Sequence, residues 1–429
     1  MTSRLPHRPR PLLSALVALL AAGAGCSQAE PTPAASTDAT SARTVAPTSR
    51  TSEPTTTDPT TTTAPSTTAT RPAPSCAERV VARLSPAQRA GQLLMVGVHP
   101  SASPAALARQ VSDQQLGGVI FLGGWHSGAA DVRAVATRLQ SAATSRARSA
   151  RGVGGLLVAA DQEGGRVQQL RGPGFTRLPS ARAQASLDPA TLQRRAASWA
   201  GELKRAGVNV NLAPVADTVP ASLGDGNAPI GALDRDFVPG SPSANGRYAA
   251  AFVRGTLAGG VAPAAKHFPG IGRLRSNTDF SSAGITDPVT SATDPYLGPF
   301  RAAIGAGTPL VMVSSARYPR IDAERQALFS PTVVSGLLRA RLGFRGVVVT
   351  DDVGAAESVA AVPVGERATR FVAAGGDIVL TAQPSQAGTM VAALVERAAG
   401  QPAFARQLRD SATRVVALKV RLGLASCEP

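Results

Sequence analysis

The sequence predicts an α/β chain built on a single (β/α)8 barrel of the TIM type. Three observations carry that expectation. Eight short apolar runs recur between residues 92 and 381, the stretches between them are rich in Ala, Leu and Arg at helical spacing, and several runs end directly on a polar side chain. Short, wholly apolar runs suit strands buried on both faces of a parallel sheet. Regular alternation with helices suits a closed barrel, whose carboxyl edge gathers the functional groups. A doubly wound open sheet is the other architecture that such alternation allows. Neither Gly117-Gly118 nor Gly164-Gly165 has the dinucleotide or P-loop spacing that would favour it.

In chain order the expected strands are Leu93–Val98, Gly118–Leu122, Leu156–Ala160, Val208–Leu212, Val261–Ala265, Leu310–Val313, Val347–Thr350 and Ile378–Leu380. Asp161 follows the third, Lys266 and His267 the fifth, Ser314 and Ser315 the sixth, and Asp351 the seventh. If the strands are parallel, these side chains converge on one face of the barrel. Asp351 carries the most information. It closes Gly346-Val-Val-Val-Thr-Asp-Asp352, where it is either a cap for the next segment or a carboxylate placed to attack a sugar carbon.

The barrel is expected to fill residues 76–429, with two segments ahead of it. Residues 1–25 read as a secretory signal: Arg4, Arg8 and Arg10 precede the apolar run Leu12–Ala22, and Gly23-Ala24-Gly25 leads into Cys26. That arrangement resembles a bacterial lipoprotein signal, which implies a lipid on Cys26 and a membrane-anchored chain facing the cell wall. Residues 26–75 are dominated by Thr, Ser, Ala and Pro, a composition that cannot build a core and reads as a disordered tether. Cys76 and Cys427 flank the globular region, and an exported pair so placed is expected to form a disulfide joining its ends.

Among the 429 residues the formal charge is +16, almost all of it Arg, since lysine occurs only at Lys204, Lys266 and Lys419. The arginines are scattered, aromatic residues make up 4%, and no nucleic-acid motif appears, so a nucleic-acid partner is not expected. Attraction to an anionic wall polymer or lipid accounts for the charge more simply.

Two motifs carry chemistry. Asp161-Gln-Glu-Gly-Gly-Arg-Val167 sets two acids and an arginine around a glycine pair, so that Asp161 and Arg166 can bind a polyhydroxylated ligand across a tight turn. Lys266-His-Phe-Pro-Gly-Ile-Gly272 sets two donors at a strand end before a stiff turn. Together with Gln92, Gly117–Phe121, Asn211-Leu-Ala-Pro-Val215, Arg235, Arg317–Asp322 and Thr350–Asp352, these motifs resemble glycoside hydrolase family 3. They are more similar to its bacterial β-N-acetylglucosaminidase branch than to its β-glucosidases, and the resemblance covers about residues 85–385.

The resemblance implies a (β/α)8 barrel and a retaining mechanism with no metal or organic cofactor. Asp351 matches the nucleophile, while Asp161, Arg235, Lys266 and His267 match residues that hold the terminal sugar, with Arg166 as a neighbour. A nearby Lys266 would help keep Asp351 ionised. The pattern departs from the branch at the acid/base, a histidine in Asp-Ser-His, where this chain has Asn277-Thr-Asp279 and no histidine beyond His267. Asp279 is the expected replacement, with Asp287 or Glu163 as other candidates. Ser315 also stands where the family often has a histidine.

The expected function is removal of terminal β-linked N-acetylglucosamine from peptidoglycan or its fragments, by a monomer whose one partner besides its substrate is the membrane. An anionic Asp279 would repel phosphate as acceptor, which favours hydrolysis. The rivals are a tethered sugar binder with weak or lost catalysis, and a β-glucosidase or glycoside phosphorylase on the same fold.

Overall fold

The computed structural model describes residues 73–150 and 153–426; the leader, most of the tether, Cys26 and Cys427 lie outside them. All eight expected strands form: β1 (Leu94–Val98), β2 (Gly118–Phe121), β3 (Leu157–Ala160), β4 (Val210–Asn211), β5 (Ala262–Phe268), β6 (Leu310–Val313), β7 (Val347–Thr350) and β8 (Val379–Thr381). Every neighbouring pair is parallel, in the order β7-β6-β5-β4-β3-β2-β1-β8. A bridge between Val349 and Ile378 closes the ring, where the Thr350 amide donates to the Ile378 carbonyl at 2.9 Å.

The strands read as unbroken apolar runs because both of their faces are covered. Met95, Ile120, Leu157, Val210, Leu310, Val347 and Val349 point inward and pack on one another. Their neighbours Val96, Val119, Val158, Val311 and Val348 face the surrounding helices. A helix follows each strand, from Pro104–Gln114 after β1 to Ala387–Gly400 after β8. Several start where the sequence supplies a cap: Ser103, Asp188 and Ser241 each accept a backbone N–H three residues on, followed directly by proline.

The amino end of the barrel is sealed. Val415 and Leu418 of the terminal helix Pro402–Arg421 join the inward-facing cluster. Beside them Lys419, fully buried, donates at 2.6 Å to Gln92, whose own amide donates at 2.8 Å to the Gln115 carbonyl. Gln92 is therefore part of this seal, remote from the carboxyl edge. That leaves the opposite edge open to a ligand.

Candidate active site

At the carboxyl edge a cleft of about 520 Å³ is lined by Asp161, Arg235, Lys266, His267, Asp279 and Asp351, over an apolar floor that includes Ile120, Leu212 and Met312. Six of the seven predicted catalytic and sugar-holding residues thus meet in one place. Arg166 lies apart from that lining, exposed at the turn of the hairpin formed by Gln162–Gly164 and Val167–Gln168. The turn itself requires glycine: Gly164 has φ +110°, and a Cβ there would sit 2.2 Å from the Pro179 carbonyl oxygen.

The hairpin brings Glu163 back under Asp161, which makes a buried charge cluster. Arg235 grips Glu163 with two bonds, Nε to Oε2 at 2.9 Å and Nη2 to Oε1 at 2.8 Å. Lys266 Nζ lies 2.6 Å from the same carboxylate and donates to Asp161. Two cations and two carboxylates nearly balance, which is what allows them to be buried together. Burial alone would raise the Glu163 pKa, but Arg235 and Lys266 outweigh it and hold the group down to about 2. A carboxyl that acidic cannot serve as a proton donor near neutrality, so Glu163 is removed as the acid/base candidate. Burial likewise works against the charge on Lys266, and Asp161 and Glu163 reverse it, so its pKa is raised. The ion pairs of Lys266 are with those two residues. Glu163→Gln is expected to cost about 3 kcal/mol of folding stability, read by chemical denaturation, because it leaves buried Lys266 and Arg235 short of a counter-charge.

His267 ends the same strand and is oriented by an acid that sequence reasoning passed over. Asp217, fully buried, lies 2.7 Å from His267 Nδ1 and accepts the His267 and Ile271 amides at 3.2 and 2.8 Å. The carboxylate fixes the proton on Nδ1, leaving Nε2 to face Arg235 Nη2 at 3.4 Å and the cleft. The only signal for Asp217 was its position two residues past Asn211-Leu-Ala-Pro-Val215, at the exit of β4.

Asp351 and Asp352 divide the two roles that the sequence left open. Asp352 is the cap: its carboxylate accepts the backbone amides of Gly354, Ala355 and Ala382 at 2.7, 3.0 and 2.7 Å. Asp351 lies in the cleft, with one oxygen accepting its neighbour's amide at 2.9 Å. Ser314 and Ser315, expected to converge with these groups, are instead structural. Ser314 bonds Tyr318 at 3.0 Å, Tyr318 donates to the Gly270 carbonyl at 2.8 Å, and Ser315 bonds Ser358 at 2.7 Å.

Asp279 sits on the loop after the Pro269-Gly270 turn, and main-chain bonds tie that loop down. The Glu357 amide donates to the Asp279 carbonyl at 3.1 Å, and the Ser358 amide to the Thr278 carbonyl at 3.2 Å. Gln326 holds Ser358 in turn, donating to its carbonyl at 2.7 Å and to that of Ser315 at 2.9 Å. The Asp279 carboxyl reaches solvent at the rim, while the cleft walls strip away much of its water. That desolvation, reinforced by the negative charge of Asp351, pushes its pKa up to about 6. Asp287 is removed from candidacy by geometry: it is buried outside the cleft, accepting the Val289 and Thr290 amides at 2.8 and 3.0 Å.

A raised carboxyl pKa also sets the sign of a stability effect. Protonated Asp279 favours the fold fully below its unfolded value near 4, and that contribution is lost as pH rises through about 6. Asp279→Asn is therefore expected to raise the melting temperature at pH 7, by no more than roughly 2–4 °C because solvent reaches the group. Melts at pH 4 should show no such gain.

The profile of the glycosyl hydrolase family 3 N terminal domain matches residues 87–418, which spans the barrel and every residue of the cleft. The chain belongs to glycoside hydrolase family 3. A β-hexosaminidase of Stenotrophomonas maltophilia is 38% identical over 235 residues, 53% of this chain and 67% of the relative. One from Xylella fastidiosa is 33% identical over 312 residues, 71% and 88% of the two chains. The crystal structure of a β-N-acetylhexosaminidase from Beutenbergia cavernae superimposes with a TM-score of 0.75 at 45% identity, covering 79% of this family 3 chain and 99% of that one. A family 3 β-N-acetylglucosaminidase from Paenibacillus gives a TM-score of 0.69 at 29% identity, over 80% and 63%.

Proposed function

We propose that the chain is a retaining β-N-acetylhexosaminidase that removes terminal N-acetylglucosamine from wall glycan or its fragments. The observation that carries this is the pairing of two carboxyls, Asp351 and Asp279, in one cleft. Asp351 is offered at the end of β7, and Asp279 above it is pushed up to about 6. Retaining hydrolysis needs two carboxyls at the bond that breaks, one to attack and one to donate a proton. Relatives named β-hexosaminidase and β-N-acetylhexosaminidase support the sugar specificity.

In the first step an Asp351 oxygen attacks C1 and the C1–O glycosidic bond breaks. The Asp279 proton goes to the departing oxygen. In the second, water attacks C1, gives its proton to Asp279, and the bond to Asp351 breaks. Asp161, Lys266, Arg235 and His267 grip the terminal sugar, with the Glu163 and Asp217 carboxylates holding the cations and the imidazole in place.

Export, acylation of Cys26, a Cys76–Cys427 disulfide and action as a monomer complete the proposal. The packing of helix Cys76–Ala82 against the terminal helix supports the disulfide. The test is turnover by the full chain of a fluorogenic β-N-acetylglucosaminide beside the matching glucoside, with and without phosphate. Selective hydrolysis of the N-acetyl sugar without phosphate acceleration is expected. Turnover of neither sugar would defeat the reading.

A further inference from the structure

Phe280 is 82% exposed, against 49% for Val289 and 38% for Leu257, the other large hydrophobic side chains exposed among the described residues. Single exposed apolar side chains are ordinary, so its exposure alone says nothing. Its position is specific. It directly follows Asp279 and lines the same cleft, whereas Val289 and Leu257 do not. Its backbone is fixed: the Phe280 amide donates to the Asn277 carbonyl at 3.2 Å, Asn277 Oδ1 accepts the Asp279 amide at 2.9 Å, and residues 278 and 279 are bonded to Ser358 and Glu357.

Where the ring stands relative to the scissile bond follows from the chemistry. A general acid must reach the oxygen being expelled, so Asp279 marks the leaving-group side of the cleft. On the hydrolase reading the terminal sugar is held by Asp161, Arg235, Lys266 and His267, which line the same cleft. A pyranose offers a flat face of C–H groups, and a phenyl ring can cover that face while the hydroxyls stay in water.

Resting on the hydrolase reading above, we propose that Phe280 is the platform for the second sugar, selecting substrates whose leaving group is itself a pyranose. The ring has two consequences. It orients the leaving group so that its oxygen meets Asp279, and it disfavours small or non-cyclic leaving groups that gain nothing from the contact.

The experiment compares two substrates of the full chain: β-1,4-linked di-N-acetylchitobiose, and N-acetyl-β-glucosaminyl fluoride, whose leaving group has no ring. Phe280→Ala is expected to lower the ratio of kcat/KM for the disaccharide over that for the fluoride about tenfold, and Phe280→Trp to restore it. An unchanged ratio in Phe280→Ala would overturn the platform while leaving the hydrolase reading intact. Wild-type protein that turns over neither substrate would overturn both.

Discussion

Asp351→Asn should lower turnover of an aryl N-acetylglucosaminide by at least ~10⁴-fold if Asp351 forms the covalent bond to the sugar. The stereochemistry of rescue makes the test sharper than the loss. In Asp351→Gly, azide can enter the space left by the carboxylate and displace the leaving group once, which gives the α-glycosyl azide. Wild-type protein displaces twice and keeps the β configuration. A product of β configuration from the glycine variant would refute the nucleophile assignment. Failure of Asp351→Asn to reduce turnover would refute it outright. Integrity of the fold is checked separately, since Asp352, and not Asp351, carries the three backbone bonds that shape this strand end.

Asp279→Asn should separate leaving groups by their need for a proton. Loss of about 10²–10⁴-fold is expected on a disaccharide, and far less on an aryl substrate that departs as a stabilised anion. The pH profile supplies the second readout. Asp279 acts in its protonated form, so with a pKa near 6 the wild-type rate should fall as pH rises through that value. In Asp279→Asn the alkaline limb should vanish, leaving a low, flat rate. Azide added to this variant attacks the glycosyl-Asp351 intermediate, so the β-glycosyl azide should accumulate, opposite to the product from Asp351→Gly. A limb that persists near pH 6 in the variant would assign the proton to another group.

The fold was legible because its signal is local. A strand covered on both faces must be apolar at every position, and the runs at 310–313 and 347–350 coincide with β6 and β7 to the residue. β5 runs three residues further than its apolar core, through Lys266, His267 and Phe268, because those side chains find partners across the barrel mouth rather than solvent. Residues that make the cleft's wall were legible by motif. Their supports were not, since the Glu163–Arg235 grip spans 72 positions and the Asp217–His267 bond spans 50. Neither spacing leaves a periodic trace. Ser314 and Ser315 illustrate the converse, polar residues at a strand exit whose direction is decided by neighbours 4 and 43 positions away.

The ties that fix the Asp279 loop leave its side chain out: the carbonyls of residues 278 and 279 accept from Ser358 and Glu357, Asn277 Oδ1 accepts the Asp279 amide, and Gln326 grips two further carbonyls. No side chain at position 279 is needed to hold position 279. The loop is a socket, and the identity of the acid plugged into it is free to vary without rebuilding what surrounds it. A carboxyl can therefore stand at position 279 without disturbing the charge network of Asp161, Glu163, Arg235 and Lys266. The two halves of the cleft thus differ in how substitution propagates: each member of the charge network constrains the others, whereas position 279 can change one residue at a time.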